Sequence, residues 1–175
     1  MEKRFARFEL RPVWRGPKEF AREVAEVFID SRNLVKILRE IEQPFAEAEG
    51  DSESAGQYDG LPAILVFYPS KYYLGEPPKK FGEGEYPSGK LPVLGCNCGE
   101  MDCNPFLAHI SVSETTITCS KFENLYYPTW TYEQLGRLVF EKTQYESALK
   151  SHVPVKFEKQ SLWRRIRNRR TKPSI

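Results

Sequence analysis

Histidine and cysteine are scarce in this chain, at two and four of 175 residues, and that scarcity narrows its chemistry. Four cysteines are too few for a disulfide scaffold. Two histidines leave little choice of general base. No run approaches the roughly 18 apolar residues of a membrane helix; the longest, residues 63–68, has the length of a strand. Residues 1–7 are charged from the second position and lack the apolar stretch of a secretory leader, so a cytoplasmic protein is expected. No G-x-S-x-G, phosphate-binding loop, dinucleotide fingerprint, H-E-x-x-H or EF-hand pattern occurs. Gly82-Glu83-Gly84-Glu85 places acids where a phosphate would sit and lacks a strand-to-helix setting, so it is not read as a nucleotide loop.

The net charge of +2 conceals a separation of sign. Residues 153–175 hold eight Lys or Arg against one acid, Glu158, leaving the rest of the chain net acidic. Residues 40–59 carry seven acids and no base. Such asymmetry points to a partner for the tail, or to the tail folding over the acidic body. The length favours one domain, drawn here as residues 1–152, followed by a basic C-terminal tail, 153–175.

Partial alternation over residues 5–14 reads as a strand that ends at Pro12 or lies at an edge. Residues 25–29 form a second strand running into Asp30, preferred to a helix over 19–28 because Val27, Phe28 and Ile29 are β-branched or aromatic. Asp30 and Ser31 then cap a helix over 32–42, whose Leu34, Ile37, Leu38 and Ile41 share one face; Pro44 limits it. Residues 46–60 are expected as a mobile loop or frayed helix end, and 61–68 as a buried strand. Four prolines and four glycines in 69–90 predict a long loop, which Tyr72, Tyr73, Phe81 and Tyr86 favour being packed. A strand at 91–94 leads to the cysteines. Residues 106–112 and 116–122 form a hairpin, 138–140 a short apolar segment, and 141–152 a second helix. The predicted class is α+β, with a mainly antiparallel sheet and two principal helices at 32–42 and 141–152. Tyr126, Tyr127, Trp130 and Tyr132 either close the core or stack a base or sugar.

The segment Gly95-Cys96-Asn97-Cys98-Gly99-Glu100-Met101-Asp102-Cys103 puts three thiols within eight residues, between glycines that free the backbone to bend. Three thiolates suit a borderline-soft cation such as Zn²⁺, which takes four ligands. Alternation turns Cys119 into the core and His109 to the other side, making His109 the better fourth ligand beside Cys96, Cys98 and Cys103. The same pattern is compatible with reduced structural thiols and no cofactor, with a redox disulfide, or with a catalytic thiol served by His109 or His152.

The run Leu94 to Glu100 with Cys103 and Pro105-Phe106-Leu107 resembles a family of uncharacterised bacterial proteins. The likeness continues through Phe122-Glu123, Trp130, Tyr132, Leu135-Gly136, Phe140 and Gln144-Tyr145-Glu146, covering about residues 25–150. It implies a short strand and Asp, here Phe28-Ile29-Asp30, before a helix opened by Asn33-Leu34. It implies that Cys119 stands where an aromatic is frequent, and it carries no known activity.

Three functions are expected from these features. The first is a non-catalytic protein-binding or inhibitory module, immunity-like, presenting Glu47, Glu49, Asp51 and Glu53 with Tyr72 and Tyr73 to a basic protein partner. The second is a metal-supported nucleic-acid-associated protein. Its Trp163, Arg164, Arg165, Arg167, Arg169 and Arg170 would track phosphates or lie on an anionic membrane surface. The third is a cysteine-dependent enzyme or redox sensor.

Overall fold

The computed structural model describes residues 5–78, 86 and 89–155. Strand β1 (Phe8–Arg15) pairs antiparallel with β2 (Arg22–Ile29), which turns back into β3 (Arg32–Asn33). Helix α1 (Leu34–Ala48) follows. Strands β4 (Tyr58–Asp59) and β5 (Leu61–Pro62) precede a helical turn, α2 (Ala63–Val66), and a 3-10 turn at Tyr72–Leu74. Strands β6 (Lys90–Cys96), β7 (Phe106–Val112), β8 (Thr116–Asn124) and β9 (Leu138–Glu141) lead into helix α3 (Lys142–Leu149). Among the described residues the strands make two antiparallel sheets, β1-β2-β3 with β5 beside β2, and β4-β6-β7-β8-β9. The α+β class holds. None of the described helices is long and apolar enough to cross a membrane.

Pro12 sits inside β1, and the ladder explains why it is tolerated. Asp30 N donates to Arg7 O at 2.9 Å, so odd-numbered backbone groups of β1 face β2 and even-numbered ones face outward. The N–H that proline lacks would have pointed away from the sheet. Ala6 N donates on that outer side to Val139 O at 2.9 Å. Phe8 is gripped there by a side chain: its N–H donates to Gln144 Oε1 at 3.1 Å and its carbonyl accepts from Gln144 Nε2 at 2.6 Å. Below this clamp the Phe8 ring stacks on Tyr145 with centroids 4.1 Å apart.

Four expectations are corrected. Asp30 and Ser31, with φ of 49° and 65°, form the two-residue hairpin between Ile29 and Arg32 and do not cap the helix. Asn33 caps it, its Oδ1 accepting from Val35 N at 2.9 Å. The helix also runs through Pro44, because Ala46 is buried and Phe45 stacks on Trp130 at 6.3 Å; that packing outweighs one lost backbone hydrogen bond. The expected strand at 61–68 becomes β5 and α2, whose Ala63, Leu65 and Val66 are buried at helical spacing. The expected loose segment at 46–60 instead buries Ser54, Ala55, Tyr58 and Asp59.

Glu42 accounts for that last difference. Its side chain is fully buried on α1. Oε2 accepts from Gly56 N at 2.7 Å, and Oε1 accepts from the hydroxyls of Tyr58 at 2.6 Å and Tyr132 at 2.8 Å. Asn124 Nδ2 extends the network by donating to the Tyr58 hydroxyl at 2.8 Å. One carboxylate thereby joins α1, the segment leading to β4, β8 and the aromatic segment after it. Burial raises the Glu42 pKa above the ordinary carboxylate range, and the three donors offset only part of that rise.

A raised folded-state pKa means that the stability Glu42 contributes is complete below the pH where an unfolded glutamate titrates. It is lost as pH climbs through the folded value. Stability of the wild type in urea unfolding should therefore weaken as pH rises above about 4 more steeply than that of Glu42→Gln. The variant should lose about 1–3 kcal/mol, since an amide N–H must meet one of the existing donors. Parallel stability profiles for the two proteins would show that Glu42 does not titrate in this way.

Candidate metal centre

The cysteine segment leaves the end of β6. Tyr58 pairs with Cys96 and Asp59 with Gly95, so the segment that Glu42 anchors also frames the cysteines. The turn closes on itself: Gly99 N donates to Cys96 O at 3.1 Å, Cys96 N to Glu100 O at 3.3 Å, and Asn97 N to Gln57 O at 3.3 Å. Glycine at position 99 is favoured by its backbone, and a side chain there would displace Arg22. Its φ is 105°, and a Cβ there would lie 1.8 Å from Arg22 Nη1. The Arg22 guanidinium is in turn held at 3.5 Å by the carboxylate of Asp59.

This folding brings the sulfurs of Cys96, Cys98 and Cys103 within 4.8 Å of one another. A tetrahedral ion with metal–sulfur bonds of about 2.3 Å needs sulfurs about 3.8 Å apart, a distance within reach of side-chain rotation. The trio can hold a metal ion. Cys96 is buried while Cys98 and Cys103 are exposed. Burial pushes the Cys96 thiol up to about 11. Cys98 is lowered, first by the backbone N–H of Glu100 and then by the Cys96 thiol. All four cysteines are free thiols.

His109 does not join them. It pairs with Lys90 at the opposite end of β6 from Cys96. Six residues of extended chain, at about 3.3 Å each, separate the two positions. His109 belongs instead beside Gly89, from whose would-be Cβ its ring carbon lies 3.3 Å away. Cys119 is opposite Ile110 and Leu138 in the core, where burial raises its pKa to about 12, as expected of a packed small apolar residue.

Tyr72 and Tyr73 are 1% and 2% exposed and offer nothing to a partner. The Tyr73 hydroxyl donates to Val93 O at 2.6 Å, and its carbonyl accepts from the Tyr145 hydroxyl at 3.1 Å. Glu47, Glu49, Asp51 and Glu53 are exposed around the end of α1, but Glu49 accepts from Thr129 Oγ1 and Trp130 Nε1, both at 3.1 Å, so it holds the aromatic segment in place. Within that segment Trp130 and Tyr132 are buried and Tyr126 is exposed. Trp163, Arg164, Arg165, Arg167, Arg169 and Arg170 lie outside the described residues.

The Glu42 network was missed, although its signal was present: Glu42 stands four residues after Leu38, on the apolar face of α1. Also missed was a cavity of about 240 Å³ between α1, β2 and β4, lined by Arg15, Glu26, Lys36, Arg39 and Asp59 among others. Its acids are already met, since Arg15 bonds both Glu26 and Asp59. No protein family, curated protein or solved structure matches the chain, so its functional reading rests on this geometry.

Maleimide labelling of the metal-free native protein, mapped by mass spectrometry at neutral pH, should modify Cys98 before Cys96, with Cys119 reacting only after denaturation. Labelling of Cys96 first would contradict the arrangement.

Proposed function

We propose that this chain is a non-catalytic binding module in which Cys96, Cys98 and Cys103 hold Zn²⁺. The convergence of three sulfurs on one glycine-flanked turn carries this reading. Thiolates favour zinc over hard cations, and a closed-shell ion adapts to the tetrahedron that such a turn offers. The metal would fasten the exposed part of the turn, Cys98 and Cys103, to the buried Cys96 at the end of β6. The positions of the histidines favour this role over nucleophilic catalysis. His109 is at the far end of β6, and His152 is engaged by Glu23 Oε1 at 2.7 Å, so neither imidazole serves the thiols.

Purified protein should retain one equivalent of zinc through gel filtration. Cys98→Ser and Cys103→Ser should each weaken zinc binding by about tenfold or more while the apo fold persists. Wild-type protein that elutes metal-free and takes up no added zinc would overturn the proposal.

The partner for such a module is read from the acidic end of α1. Glu47, Asp51 and Glu53 are exposed, and among the described residues none of them forms an ion pair. That exposed acidic surface favours a basic protein surface as its counterpart. Zero-length carboxyl–amine cross-linking in cell extract should join these three residues to lysines of one protein. Cross-links scattered over many proteins would remove this part of the reading.

A further inference from the structure

The inventory of thiols and imidazoles limits how a metal at the turn can be completed. The sequence holds four cysteines and two histidines, and all six are among the described residues. Three sulfurs make the turn. Cys119 is enclosed between β7 and β9. His109 stands at the other end of β6, and His152 is edge-on to Phe67 at 5.1 Å with its Nε2 at Glu23. No further thiol or imidazole of this chain reaches the site. The neighbouring carboxylates are not gathered with the sulfurs either: neither Glu100 nor Asp102 joins the converging group, and Asp102 Oδ1 accepts from the Tyr86 hydroxyl.

Resting on the zinc reading above, we propose that the fourth coordination position is completed from outside the chain by a neutral nitrogen donor, the imidazole of a partner's histidine. Charge selects the donor. Three thiolates and a divalent ion sum to one negative charge, and Glu100 and Asp102 flank the turn in sequence. A fourth thiolate would double the charge of the centre beside those carboxylates, whereas imidazole adds none. Three sulfurs with one imidazole is also a donor set that suits zinc. Access is on the correct side. Cys98 and Cys103 are the exposed members, whereas the Gly99 backbone is covered by Arg22. Exposed Tyr126 lies next to the turn, its hydroxyl 3.4 Å from Asp102 O, and gives a histidine-bearing partner an apolar ring to rest on. The metal would then act as the joint between two molecules.

The test uses the full chain loaded with Co²⁺, whose visible bands report donor type and coordination number. Imidazole should shift those bands saturably, and glutathione should require a concentration about tenfold higher or more. In Cys119→Ala and His109→Ala the bands and the imidazole response should be unchanged. Tight, stoichiometric Co²⁺ binding with bands that imidazole does not move, or that glutathione moves first, overturns the external-imidazole proposal and leaves the metal site standing. A loss of the bands in His109→Ala overturns it too. Failure to bind one equivalent of Co²⁺ or Zn²⁺ overturns the proposal together with the reading on which it rests.

Discussion

A carboxylate shut away from water is the constraint on which the remainder of this architecture depends. Among the described residues Glu42 has no countercharge in its network, only the N–H of Gly56 and the hydroxyls of Tyr58 and Tyr132. Leaving any of these partners unmade would strand a polar group in the core, at a cost comparable with a large fraction of a small domain's net stability. Each donor is therefore committed to one place. Tyr58 is committed most of all, since its hydroxyl also accepts from Asn124 and its backbone belongs to the strand beside Cys96.

That commitment carries to the thiols. Asn124 holds Asn104 Oδ1 at 2.7 Å, one residue beyond Cys103, and Gln57 O holds Asn97 N between Cys96 and Cys98. The turn is thus gripped at both ends by segments that converge on Glu42. Its own glycine and closing hydrogen bonds shape it, and the polar network fixes where it stands on the body. Burial of Cys96 beneath two exposed thiols follows from the same arrangement.

What the sequence disclosed divides along the distance over which each feature is determined. The hairpin β7–β8 was legible because alternating side chains and a polar turn specify it within one stretch, and the predicted segments 106–112 and 116–122 fall inside it. The clustering of Cys96, Cys98 and Cys103 was legible for the same reason, since eight consecutive residues contain the whole motif. Asp30 and Ser31 were misread because a short polar side chain suits both a helix cap and a left-handed hairpin, and only pairing with Arg32 decides between them. His109 was placed near the sulfurs from its sequence separation and strand alternation, whereas the register of β6 against β7 carries it away. Tyr72 and Tyr73 were correctly expected to be packed in an ordered loop yet were also offered to a partner. Their burial depends on Val93 and Tyr145, which come from distant parts of the chain.

The clamp of Gln144 on Phe8 has a consequence for how copies of this molecule meet. An outer strand whose N–H and C=O groups stand open in a row is a template on which another chain can add itself. Here Val139 occupies the row at Ala6, a side-chain amide imitates a neighbouring strand at Phe8, and proline removes the donor at position 12. No uninterrupted stretch remains long enough to seed lateral growth. The fold therefore guards itself against polymerisation along β1, with the safeguard supplied by an element more than a hundred residues away.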